Sequence, residues 1–183
     1  PGTKSFVEYV QTVLESTCDV VLFADVADQV ALIAPTFAAE GACSLGGGAL
    51  PEHAERQVHF MLPSPSWSAA LLGRAQRYLQ GALIALPFYE AAETATSEHF
   101  RTAYETRYGR PPQTFAAYGY DAYRMISATL RQGHQTREAL IGALTTGAPV
   151  APVTSVGSLS SERVPANPPS VYRVVGDRLQ PAD

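Results

Sequence analysis

Cysteine is nearly absent from this chain: of 183 residues only Cys18 and Cys43 carry a thiol. That excludes a disulfide-dense scaffold; two cysteines cannot make a structural zinc site without at least two histidines, and no CxxC spacing exists. Charge is sparse as well. Charged residues make up 16 % of the chain, with 13 Lys and Arg against 17 Asp and Glu, a formal net charge of −4. No basic run alternates with aromatics, so nucleic acid is not the main partner. No apolar run reaches the ~18 residues that cross a bilayer. Nor is there a charged n-region followed by an apolar h-region, so any signal peptide lies outside the chain. Pro1-Gly2-Thr3, a turn signal just before a helix, reads as a cut inside a longer protein.

What the chain has is apolar residues, 46 % of the total, enough for one well-buried core. Its most distinctive stretch runs from Ser97 to Leu130. Phe100, Ala103, Tyr104 and Tyr108 share one helical face, and Gly109, Pro111 and Pro112 stop that helix. Thr114 is placed to cap a second helix, in which Tyr118, Ala122, Met125, Ile126 and Thr129 form the stripe expected to be buried.

Elsewhere the spacing predicts a helix over 4–17, with Phe6, Tyr9, Val10, Val13 and Leu14 inward. DVVLFA at 19–24 reads as a strand buried on both faces. A helix begins near Asp28 and stops at Gly41, with Pro35 unfavourable inside it. The glycine-rich stretch 46–56 reads as a surface loop, 58–62 as a strand, 63–66 as a turn, 67–79 as a helix and 81–86 as a third buried strand. Alternating strands and helices predict an α/β fold: a three-layer parallel sheet with helices on both faces. A short helix follows at 136–146, then a β-rich tail over 150–183. Within it, 170–175 and 178–180 read as a hairpin turning at Gly176-Asp177. Cys18 and Cys43 each precede or open a strand-like run. They are either two thiols or, if those strands are parallel neighbours, a candidate disulfide.

No motif carries catalysis. Gly46-Gly47-Gly48 lacks the Lys and Ser/Thr of a phosphate loop. His53, His59, His99 and His134 show no metal-pair spacing, and nothing calls for a cofactor. Ser64, Ser66 and Ser68 lie near a strand end without a nucleophile elbow. Asp25, Asp28, Glu90 and Glu93 follow strands, where Asp28 reads as a helix N-cap. Asp25 draws attention because ligands of such folds bind at the carboxyl ends of parallel strands. Trp67, Phe88 and Tyr89 occupy the equivalent ends of the next two strands, as core packing or as a cleft wall. Tyr118 reads as core, with Tyr120 and Tyr123 beside it. Asp121 is placed to pair with Arg124 or to cap a neighbouring loop.

With these residues in order, the chain resembles the second half of a type I periplasmic solute-binding protein of the Leu/Ile/Val-binding class. The resemblance lies in DVVLFAD with DQVALIAPTFAAEG, in VHFMLPSPSW, in YLQGALIALPFYE and in FRTAYETRYGRPPQTFAAYGYDAYRMISATL. It covers residues 4 to about 146 well and the closing hairpin more loosely. It implies a single α/β domain over 1–183, the C-terminal lobe of a two-lobe protein that closes on its ligand as a hinge. Residues 112–146 would cross to the other lobe, which this chain does not contain. Family ligand contacts match Asp25, Val26 and Ala27, then Ser64, Ser66 and Trp67, then Phe88 and Tyr89. Members that bind α-amino acids carry a carboxylate where this chain has Ser64, and an aromatic where it has Val26. An unpaired buried ammonium is costly, which counts against a simple amino acid.

The resemblance implies a non-enzymatic, extracytoplasmic binding module of an ABC-type transporter, taking a small polar solute (amino acid, amide or peptide-like) in an interlobe cleft. Its partners would be that solute, a membrane permease and, through the Phe115–Leu130 helix, a second copy. The lipoproteins that activate peptidoglycan synthases share the fold and offer an alternative, with a cell-wall synthase as partner. A serine hydrolase using Ser64 or Ser66 ranks last.

Overall fold

A computed structural model describes residues 5–44, 56–91, 94–146, 150–155, 159–162, 164–165 and 167–182. The Gly46–Gly48 loop, His53 and Glu93 lie outside the described residues. Where the sequence suggests one domain, the chain forms two compact units: 1–86 with 171–183, and 87–170. The segment 112–146 falls wholly within the second.

The first unit is α/β. It runs α1 (Val7–Glu15), β1 (Val20–Leu22), α2 (Ala27–Ala39), β2 (Ala42–Ser44), β3 (Arg56–Leu62), a 3-10 turn (Ser64–Ser66), α3 (Ala69–Ala75) and β4 (Leu83–Leu86). The hairpin of β5 (Ser170–Val175) and β6 (Arg178–Pro181) then completes it. The sheet order is β1-β3-β4-β5-β6, with β2 paired to β3. The β1–β3, β2–β3 and β3–β4 pairs are parallel, and the hairpin is antiparallel. Its two-residue turn is opened by Gly176 at φ 62°, a conformation glycine takes without a Cβ clash.

Both α2 and α3 belong to crossovers that step the same way across the sheet. Right-handed connections therefore set them on one face, where they pack together, with α1 against α2. Beneath them lie Val58, Phe60 and Leu62 from alternate positions of β3, with Phe23 beyond β1. Phe23, Phe37 and Phe60 meet edge to face, with ring centroids 4.9–5.8 Å apart. Such pairs add about 0.5–1.5 kcal/mol beyond their buried area.

The strand at 19–24 departs from expectation. It is shorter, and it is buried on one face rather than two. Val20 is 50 % and Leu22 61 % exposed, beside Met61, which is in register with Leu22. A second covering layer needs crossovers running the other way, and the described residues supply none. The helix expected from Asp28 begins at Ala27 with Val26 as N-cap, and it runs through Pro35. Asp28 caps nothing and instead pairs with Arg74 of α3. Cys18 and Cys43 are free thiols. The bridge does not form because β1 and β2 are not neighbours: each pairs with a different stretch of β3.

The second unit is helical: α4 (Ala95–Tyr108), α5 (Thr114–Arg131) and α6 (Arg137–Thr146). Thr94 caps α4 by accepting the Ser97 N–H at 3.2 Å, and Gly109 at φ 67° ends it. Gln113 rather than Thr114 stands at the N-cap of α5. The buried stripe of α5 is only partly the expected one. Met125 and Thr129 are buried as expected, but they are joined at i, i+4 spacing by Ala117 and Asp121, whereas Tyr118, Ala122 and Ile126 are exposed. Phe88, Phe100, Ala117 and Val153 make the core, with Tyr104 and Tyr120 packed against it.

Candidate functional site

Two of the three expected ligand loops belong to the first unit. Because β1 and β3 are parallel, their ends open on the same edge of the sheet. After β1 the Phe23 N–H still donates to the Met61 carbonyl at 3.0 Å, and then the chain turns. The Asp25 carboxylate accepts the Val26 N–H at 2.7 Å, and α2 starts two residues after Asp25. Asp25 and Val26 are exposed and Ala27 is half-buried.

After β3, Pro63 stays extended and the Ser64–Ser66 turn closes with Ser66 N–H on Pro63 O at 2.9 Å and Trp67 N–H on Ser64 O at 3.1 Å. Ser64 and Trp67 are half-buried, while Ser66 is fully buried, at 0 % exposure. The Ser66 hydroxyl reaches across to the first loop, with the Phe23 carbonyl at 2.9 Å and the Asp25 carbonyl at 2.5 Å. One hydroxyl proton is thus shared between two main-chain acceptors of the neighbouring loop.

The two loops bring together the exposed Asp25 carboxylate and Val26 with the half-buried Ser64 hydroxyl and Trp67 indole: a small surface able to hydrogen-bond and stack. Asp28, one turn further on, is engaged by Arg74.

Phe88 and Tyr89 belong to the second unit. Phe88 is a core residue, its ring 5.9 Å from that of Phe100. Tyr89 is half-buried. Asp121 does not pair with Arg124. It accepts the N–H groups of Val153 and Thr154 and the Thr154 hydroxyl, the second of the two roles open to it. Arg124 instead donates to the Ala151 carbonyl. His59 and His99 are exposed and His134 half-buried, and among the described residues no three metal-ligating side chains cluster.

Arg56 escaped the sequence reading. Its guanidinium donates to the carbonyls of Val13, Leu14, Ser16 and Cys18 at 2.5–3.2 Å, clamping the end of α1 to the start of β3. Its partners lie about 40 residues away in sequence, and no local pattern announces them.

The sequence profile described as periplasmic binding protein matches residues 1–177. No curated relative matches the sequence significantly. Among solved structures, a protein assigned to a branched-chain amino acid ABC transporter of Rhodospirillum rubrum aligns at 23 % identity and TM-score 0.78. The alignment covers all of this chain and 49 % of that one. A branched-chain amino acid ABC transporter protein of Thermus thermophilus with bound valine aligns at 17 % identity and TM-score 0.69, again over 100 % and 49 %. A solute-binding protein of an R. palustris ABC transporter in complex with benzoate aligns at 17 % and 0.66, over 97 % and 46 %. At these identities the likeness shows the fold. This chain spans about half the length of each.

Proposed function

This chain belongs to the periplasmic binding protein family, and we propose that it is an extracytoplasmic ligand-binding module, the substrate-binding component of an ABC-type transporter for a small polar solute. The observation that carries this reading is the family match over residues 1–177. The paired strand-end loops, with Asp25 and Val26 exposed and Ser64 and Trp67 half-buried, supply a fitting surface. No helix among the described residues is long and apolar enough to cross a membrane. A membrane permease is the partner that the transporter reading implies.

The solute belongs with amino acids, amides and peptide-like compounds. Ser64 offers a hydroxyl where an ammonium would need a carboxylate, which favours a neutral amide group at that position. The chemistry is binding without catalysis: the Ser66 hydroxyl is spent on two carbonyls and is no nucleophile.

A thermal-shift panel of leucine, isoleucine, valine, benzoate, amides and short peptides tests the reading. A ligand at 100 times its Kd adds about 2.7 kcal/mol to stability and raises Tm by several degrees. Stabilisation by none of these compounds would overturn it.

A further inference from the structure

We infer that Ser66 is a positioning residue: its hydroxyl latches the β3–α3 loop onto the β1–α2 loop and so sets the spacing of the side chains offered to solute. The inference rests on the ligand-binding reading, but its geometry is independent of it. Asp25 and Val26 on one loop, Ser64 and Trp67 on the other, are exposed or half-buried, so solvent alone cannot hold the loops together. The atom joining them is the one that solvent cannot reach. Ser66 is fully buried, and its Oγ lies 2.9 Å from the Phe23 carbonyl and 2.5 Å from the Asp25 carbonyl.

Those two carbonyls flank the turn that delivers Asp25 to the surface. They follow the last pairing of the β1–β3 ladder, where the Phe23 N–H meets Met61. Beyond that pairing the turn has short-range bonds of its own, from Ala24 N–H to Leu22 O, from Asp25 N–H to Phe23 O and from Val26 N–H to the Asp25 carboxylate, and this hydroxyl ties it to the other loop. Removing the hydroxyl takes its donor from the Asp25 carbonyl and leaves the Phe23 carbonyl with the Asp25 N–H alone, which loosens the turn without altering Asp25, Val26, Ser64 or Trp67.

The test compares wild type with Ser66→Ala by amide hydrogen exchange, and by calorimetric titration with leucine, isoleucine, valine and benzoate. Exchange at residues 24–27 is expected to rise about tenfold or more, while the amides of Val58, Phe60 and Ile84 stay protected; affinity for any solute that wild type binds is expected to fall by a similar factor. Unchanged exchange at 24–27 overturns the latch. So does a rise spread evenly over the first unit, which marks ordinary packing. A local rise with unaltered affinity overturns the positioning role. If wild type binds neither the four probes nor the amides and short peptides of the thermal-shift panel, the ligand reading is overturned and the exchange data still decide the latch. Should Ser66→Ala fail to fold, Ser66→Cys keeps the volume with a weaker donor and is expected to show an intermediate rise.

Discussion

Asp121 accepts the hydroxyl of Thr154 at 2.7 Å and its backbone N–H at 2.9 Å, joining the inward face of α5 to a segment 33 residues later. The Val153 N–H donates to the same carboxylate at 2.9 and 3.1 Å. A carboxylate that collects three donors in a buried setting is an anchor for irregular chain, which has no ladder to satisfy its amides.

Replacing Asp121 by Ala should therefore cost about 2–4 kcal/mol, since hydrogen bonds to charged groups are worth about 1.5–3 kcal/mol and buried donors are left unpaired. Asp121→Asn keeps the shape but turns an N–H₂ toward donors, and should lose nearly as much. Urea unfolding measures the loss, and exchange at Val153 and Thr154 should report it locally.

Arg56 acts on the first unit in a comparable way. Its positive fork sits at the C-terminal end of α1, where orphan carbonyls and the helix dipole both favour a cation. Arg56→Lys, with a point charge in place of a planar fork, should lose about 1–2 kcal/mol, and Arg56→Met about 2–3 kcal/mol. Helix α1 should fray first, read as faster exchange at the amides of Val13 and Leu14.

The two faces of α5 offer a direct contrast. Met125→Ala removes a buried side chain and should cost about 2–4 kcal/mol. Ile126→Ala, one residue on but exposed, should stay within about 1 kcal/mol. Phe115, at 85 % exposure, should tolerate serine with no measurable loss. Equal costs at Met125 and Ile126 would contradict the assigned stripe.

The thiols should separate by rate. Burial pushes the Cys43 thiol above its ordinary range, so less of it is thiolate at any given pH and its alkylation should gain speed only at higher pH. Cys18 is exposed and should be modified first at pH 8. Mass spectrometry without reductant should find two labels per chain; an unlabelled mass two protons lighter would mean a disulfide.

In the first unit, the alternation over 58–62 and the apolar run at 83–86 are strand signals that need no context, and β3 and β4 formed there. Gly109 as a helix stop and Gly176-Asp177 as a hairpin turn were equally readable, because each rests on one residue's backbone freedom. Of the candidate site, the loops containing Asp25 and Ser64 were proposed from strand order and from the family resemblance. The division of labour within them was not. Ser64 and Ser66 read alike as turn residues, and only the fold turns one hydroxyl inward to the Phe23 and Asp25 carbonyls.

The α5 stripe was only partly right, for a related reason. Met125 and Thr129 share helical spacing with Tyr118, Ala122 and Ile126 as well as with Ala117 and Asp121, so periodicity established a helix without fixing the edge of its buried face. That choice falls to Asp121, whose carboxylate must face the amides of Val153 and Thr154. The sequence by itself determined the order of strands and helices, the main turns and the family, because these depend on backbone preference and on the spacing of apolar residues. Only the tertiary structure decided which face of β1 and of α5 is covered, what Arg56, Ser66 and Asp121 hold, and that the cysteines stay apart. Each of those depends on a partner distant in sequence, which local pattern cannot name.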